Sequence, residues 1–454
     1  MPTGRIQAGA ATSNVTPALG VSLNGGMHDR TATHIHDELH ARCLVLDDGH
    51  TRVGLAILDS CMIPRAILDR AKHLAHERTE IPLDRLLVAA THTHSAPTVA
   101  GVFQSEPDDE YAAFLALRIA DGFRRAANLL QPAAVGWAFV DGPAEVFNRR
   151  WRMQPGSVPP DPFGQTRDQV QMNPPRGSEN LLEPAGPTDP AVSLLAVRDA
   201  EGRPLALLAN YSLHYVGGTG AGHVSADYFG MFADEMVARL GTARQDPPLV
   251  VAMSNGTSGN INNINFRQAA ASQPAYAQMR HVAAAVAQAV ERAYHQLEFH
   301  EQVPLAMCEQ RVEVGCRRPA ADEVQRARYI LSQSGGADLN SLEQIYARET
   351  ALMAEWPARV ETLVQALRVG ELGIATLPCE VFVETGLAVK GQSPLETTFV
   401  IELANDYCGY LPTPEQMALG GYETWRARSS FLDAEAEPRL RQMALELLGQ
   451  VARG

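Results

Sequence analysis

Lysine is almost missing from this chain: among 454 residues only Lys72 and Lys390 are lysines, and arginine supplies the rest of the 38 basic side chains. Against 52 Asp plus Glu this leaves a formal charge of −14. That balance excludes nucleic acid as the main partner, because phosphate binding needs clustered Lys and Arg. No CxxC pair occurs among the six cysteines, Cys43, Cys61, Cys308, Cys316, Cys379 and Cys408, which excludes a zinc ribbon and a disulfide scaffold. No apolar run approaches the roughly 18–20 residues needed to span a bilayer, so no membrane insertion is expected. Residues 1–16 show neither a basic start nor a secretory apolar stretch, so the expected location is the cytoplasm. There is no repeat of fixed period and no low-complexity tract.

What remains is a composition of ordinary globular type, with 45% hydrophobic and 20% charged residues. Short apolar runs alternate with helical patterns. Strands are predicted at 53–59, 85–91, 133–140, 192–197, 205–211, 249–254, 372–377 and 398–403. Their Val, Leu and Ile content without strict alternation predicts sheets covered on both faces. Helices are predicted at 64–77, 109–130, 229–240, 276–297, 320–332, 341–368 and 437–452, with Pro357 kinking or splitting the sixth. The fold class is thus mixed α/β: one large domain over 1–454, with mixed β-sheets flanked by helices. A Pro-rich loop at 154–190 and a helical insertion at 318–368 complete the expectation, and the loop, together with Trp151, is expected to shape a pocket.

The motifs with chemical potential follow strands. Thr91-His92-Thr93-His94-Ser95-Ala96-Pro97 comes directly after one. In extended chain, positions i and i+2 share a side, so His92 and His94 face the same way, at the strand end where α/β sites usually form. Neutral imidazole is a good zinc ligand; the alternative is a strand end facing solvent. His214 follows a second strand and precedes Gly217-Gly218, and by itself reads as a satisfied core or loop histidine rather than a ligand. Glu380, in Leu377-Pro378-Cys379-Glu380-Val381-Phe382, is an acid in an apolar stretch, costly unless paired or metal-bound. Two histidines and a carboxylate match a catalytic zinc site that leaves one position open. The loop from Ser254 to Asn263 is rich in Gly and Asn and suits a polar ligand or a plain turn cluster, and it lacks the GxSxG spacing of a serine hydrolase. The run from His34 to His40 lacks HExxH and reads as a loop and strand start.

In this order the segments resemble the catalytic domain of the neutral ceramidase family, zinc-dependent amidases that cleave an N-acyl amide bond. The resemblance runs from about Gly9 to about Glu423. It includes His36 before Ala41-Arg42, Asp59 in Leu58-Asp59-Ser60, the His92–Pro97 motif and Asn148-Arg149. It continues through His214, Ser225-Ala226-Asp227, Glu380, and the pair Tyr410 and Tyr422, twelve positions apart. It implies that His92, His214, Glu380 and Tyr410 coordinate one Zn2+ ion, with His94 near the scissile amide and Arg149 and Tyr422 at the substrate or its oxyanion.

The departures have consequences. Asn262 stands where the family carries a serine, and an amide can hydrogen-bond an oxyanion but cannot act as a nucleophile. This favours a zinc-activated water, with His94 as proton carrier, over a serine-based mechanism. The family's C-terminal β-sandwich domain has no counterpart here, which turns the expectation from ceramide towards a soluble amide of small or medium size. The alternatives are a zinc lactonase, esterase or peptidase on the same site, or a catalytically silent binding protein on the same scaffold.

Overall fold

The computed structural model describes residues 4–335 and 338–454. Eight strands build the larger sheet: β1 (Gln7–Asn14), β2 (His40–Asp47), β3 (Arg52–Leu58), β4 (Leu86–Ala90), β5 (Gln131–Val140), β6 (Val192–Asp199), β7 (Pro204–Tyr211) and β8 (Val250–Asn255). Their spatial order is β8-β7-β6-β5-β1-β2-β3-β4. A second sheet has four strands, β9 (Leu305–Gly315), β10 (Arg359–Val369), β11 (Leu372–Thr376) and β12 (Thr397–Ile401), side by side in chain order.

The helices are α1 (Arg65–Thr79), α2 (Asp109–Asn128), α3 (Asp227–Arg239), α4 (Ala277–Tyr294), α5 (Ala321–Ser332), α6 (Leu342–Leu352), α7 (Val383–Gln392), α8 (Pro414–Ala418) and α9 (Ala436–Arg453). Burial arranges them in four layers. Leu46, Leu55 and Leu195 of the large sheet meet Leu367, Ile374, Phe399 and Ile401 of the small one in a core between the sheets. The outer face of the large sheet is covered by α1 and α2 through Leu68, Leu115 and Phe123, and by α3 and α4 through Phe232, Met279 and Val286. α9 covers the outer face of the small sheet through Leu440, Leu447 and Leu448. Sheets buried on both faces explain the continuous apolar strands.

Three adjacent pairs within these sheets run parallel, β3 with β4, β7 with β8, and β11 with β12, and the other neighbours are antiparallel. A parallel pair sends both its C-terminal ends to one edge. Those three edges carry the site.

All eight predicted strands are present. The helix expected over 341–368 is not continuous: it stops at Leu352, and 359–369 forms β10. Val360, Leu363, Val364 and Leu367 have helical spacing, yet Leu363 and Val364 are both buried because the strand packs on two sides. The helical insertion is therefore the hairpin α5–α6 alone. The expected loop 154–190 holds the short strands Val170–Met172 and Leu181–Pro184, which pair with Arg150–Met153 in a small antiparallel sheet.

Candidate metal centre

His92 leaves the end of β4 with a φ of 77°, a left-handed conformation that a non-glycine residue holds only under tertiary constraint. The constraint is visible. Its amide bonds the Ser60 carbonyl, and its Nδ1 donates to the Cys61 carbonyl at 2.7 Å; both acceptors lie beyond the end of the parallel neighbour β3. His214, just past β7, repeats the device: its Nδ1 lies 3.2 Å from the Ser258 carbonyl, on the loop after the parallel neighbour β8. With Nδ1 carrying the proton, each ring presents an Nε2 lone pair. The two Nε2 atoms are 3.1 Å apart.

Glu380 joins them from a two-residue strand after β11, Glu380–Val381, which pairs in parallel with Tyr410–Leu411; its Oε2 lies 3.3 Å from His92 Nε2 and 3.9 Å from His214 Nε2. All three residues are fully buried. Oε1 accepts the Tyr407 hydroxyl at 3.0 Å, while Oε2 meets no hydrogen-bond donor among the described residues. A buried carboxylate oxygen facing two imidazole lone pairs is repulsive unless a cation sits between them. Two neutral nitrogens and one carboxylate oxygen are the donor set of a catalytic zinc site, so these residues fit the ion.

The electrostatics agree. Burial, then the nearby Arg149 charge, hold His214 well below the ordinary imidazole range; burial and His92 do the same for His94. Burial also opposes charge on His92, but Cys61 and Glu380 outweigh it and raise that ring well above its usual value.

His94 Nε2 approaches His92 Nε2 at 3.1 Å, and its ring stacks on Tyr215 at 3.6 Å between centroids. Tyr410, Tyr422 and Tyr407 line a small cavity together with Asn24, Gly25 and Phe103. The Tyr410 hydroxyl accepts from Arg149 Nη2 at 3.1 Å. Arg149 is held by Glu423, whose second carboxylate oxygen takes Arg150 at 2.7 Å. The shared carboxylate fixes both guanidinium groups without solvent.

Several expected residues lie elsewhere. Asn262 does not line the cavity: its Nδ2 donates to Asn173, across in the 154–190 segment, and its Oδ1 accepts the Ile264 amide. Trp151 packs on Phe266 in a separate cluster, and no residue of 154–190 lines the cavity. Asp59 is locked to Arg42 at 2.6 Å, and exposed His36 stacks on Tyr276. Sequence reasoning missed Tyr407, Ser258, Glu402 and Glu423. Ser258 carried a signal in its Gly-rich loop; the roles of the others arise only from contacts between segments distant in sequence.

Neither a family model nor a curated relative matches the chain. Solved structures do. The neutral ceramidase from Pseudomonas aeruginosa superposes with a TM-score of 0.72 at 18% identity, over 98% of this chain and 75% of that one. The fold is that of a neutral ceramidase. A ceramidase complexed with C2 gives a TM-score of 0.70 at 17% identity, covering 99% of this chain and 75% of that chain. The ceramidase-like fold thus extends over nearly every residue, with each predicted metal-site residue at the edge where the parallel pairs end.

Proposed function

We propose that the protein is a zinc-dependent amidohydrolase that cleaves an N-acyl amide of small or medium size, with His92, His214, Glu380 and Tyr410 as ligands of one Zn2+ ion. The observation that carries this reading is the unpartnered, buried Glu380 Oε2 facing two imidazole lone pairs. A ceramidase-like fold around that cluster supports amide chemistry over other hydrolyses. Zinc, when bound, supplies Lewis acidity and lowers the pKa of water towards neutrality.

The side chains divide the remaining work. Tyr410 accepts a hydrogen bond from Arg149 and lies beside the Glu380 carboxylate, which orients its oxygen for the ligand role. Tyr422, its ring 5.8 Å from that of Tyr410, offers a hydroxyl to the substrate carbonyl oxygen as negative charge develops there. His94 lies beside the cluster to deliver a proton to the departing amine. Arg149 keeps Tyr410 oriented and adds positive charge at the oxyanion. Because the ligands come from both sheets, we read 1–454 as one catalytic domain.

Metal analysis and hydrolysis of a panel of N-acyl amides, esters and lactones test this. The purified protein is expected to carry one zinc and prefer amides, and His92→Ala and Glu380→Ala to lose both metal and turnover. Full zinc occupancy in both variants would sink the ligand assignment; preference for esters or lactones would replace the amidase reading.

A further inference from the structure

Glu402 immediately follows β12, is 0% exposed, and has no arginine, lysine or histidine partner among the described residues. A lone buried carboxylate is costly unless hydrogen-bond donors converge on it. Its partners are all hydrogen-bond donors. Oε1 accepts the Ser258 hydroxyl at 2.6 Å, while Oε2 accepts the Val381 amide at 2.6 Å and the Ser258 amide at 3.3 Å.

Both contacted residues support the metal cluster. Ser258 gives its only hydroxyl proton to Glu402, so its oxygen turns a lone pair towards His214 Nδ1, 3.3 Å away. Val381 is next to Glu380, so its amide fixes the backbone from which that carboxylate projects. The loop is brought within reach because Gly259 has no Cβ: one built there would stand 2.5 Å from the Glu380 carbonyl oxygen. The Gly259 amide bonds the Val381 carbonyl at 2.8 Å.

We infer that Glu402 is a positioning residue of the metal centre, holding and polarising His214 through the Ser258 hydroxyl and fixing Glu380 through the Val381 amide. This rests on His214 and Glu380 being metal ligands. A carboxylate behind a ligating imidazole raises its basicity and fixes its tautomer, and loss of such support typically weakens metal binding 10–100-fold. Here the support is relayed by a serine hydroxyl, and one carboxylate serves two ligands. Neither Glu402 nor Ser258 lines the substrate cavity, so the effect falls on metal affinity rather than on substrate recognition.

The test measures the zinc dissociation constant of the full chain by competition with a chromophoric chelator, in native protein, Ser258→Ala and Glu402→Gln. Expected is a rise of about tenfold or more in each variant, with KM for substrate unchanged at saturating zinc. Ser258→Ala is the milder change and decides the matter where Glu402→Gln fails to fold. A variant that melts earlier but binds zinc within threefold of native overturns the inference and leaves the metal centre standing. Native protein that binds no zinc overturns the centre itself, and the inference with it.

Discussion

Lys72 shows what a rare residue does when buried. It lies in α1 with only 4% of its surface exposed, and burial lowers its pKa to about 8 from an ordinary 10.5, despite the opposing pull of Glu309 and Asp69. Because the folded value lies below the unfolded one, the unfolded chain binds the extra proton between those limits. The contribution of Lys72 to stability is therefore most favourable above about pH 10.5 and is lost as pH falls through 8. Replacing Lys72 by Met removes the cost of the buried charge. We expect the variant to be more stable than native at pH 7 by on the order of 3 kcal/mol, with the gap closing as pH rises towards 10. Urea denaturation of both proteins at pH 7, 8.5 and 10 checks this, and a gap that does not change with pH would refute it. The second lysine, Lys390, pairs with Asp189 at 2.5 Å and sits over the Phe139 ring, so neither lysine serves the candidate site.

At the scale of elements, the site depends on close approaches that only glycine permits. Gly25 has a φ of 96°, and an added Cβ would overlap the His94 ring. Its loop is tied down by Arg30, whose Nη2 donates to the carbonyls of Asn24 at 2.5 Å and His94 at 2.6 Å. Gly25→Ala is expected to displace His94 and lower kcat by at least about tenfold, equivalent to 1.4 kcal/mol, while zinc content stays near one per chain. Native kcat in that variant would remove His94 from the chemistry. The same elements show what sequence can convey. His92, His214 and Glu380 were legible because each follows a strand, and the resemblance supplied their convergence. Glu423 was not, because its role arises only when Arg149 and Arg150 reach it from more than 270 residues away. β10 was misread because a strand buried on both sides loses the period-two pattern. β1, Gln7–Asn14, escaped because its Ala, Gly, Ser and Asn residues have little strand preference and are held by pairing with β2.

At the scale of the whole molecule, the three parallel pairs do one job three times. β3 and β4 deliver the Cys61 carbonyl and His92; β7 and β8 deliver His214 and the Ser258 carbonyl; β11 and β12 deliver Glu380 and Glu402. In each case one strand end carries the ligand and its parallel neighbour carries the group that holds it. The ligands span both sheets, so a bound ion would cross-link the two halves of the core. An ion that binds the folded chain alone stabilises it by about 4 kcal/mol at a thousandfold excess over its dissociation constant. Chelation should therefore lower the thermal midpoint of the native protein by several degrees, and zinc should restore it. His92→Ala, with one ligand gone, should melt at the same temperature with or without chelator. Calorimetry of the four samples decides. A native midpoint unmoved by complete zinc removal would show that the two sheets hold together without the ion, and that the strand-end carbonyls and Glu402 set the site's shape by themselves.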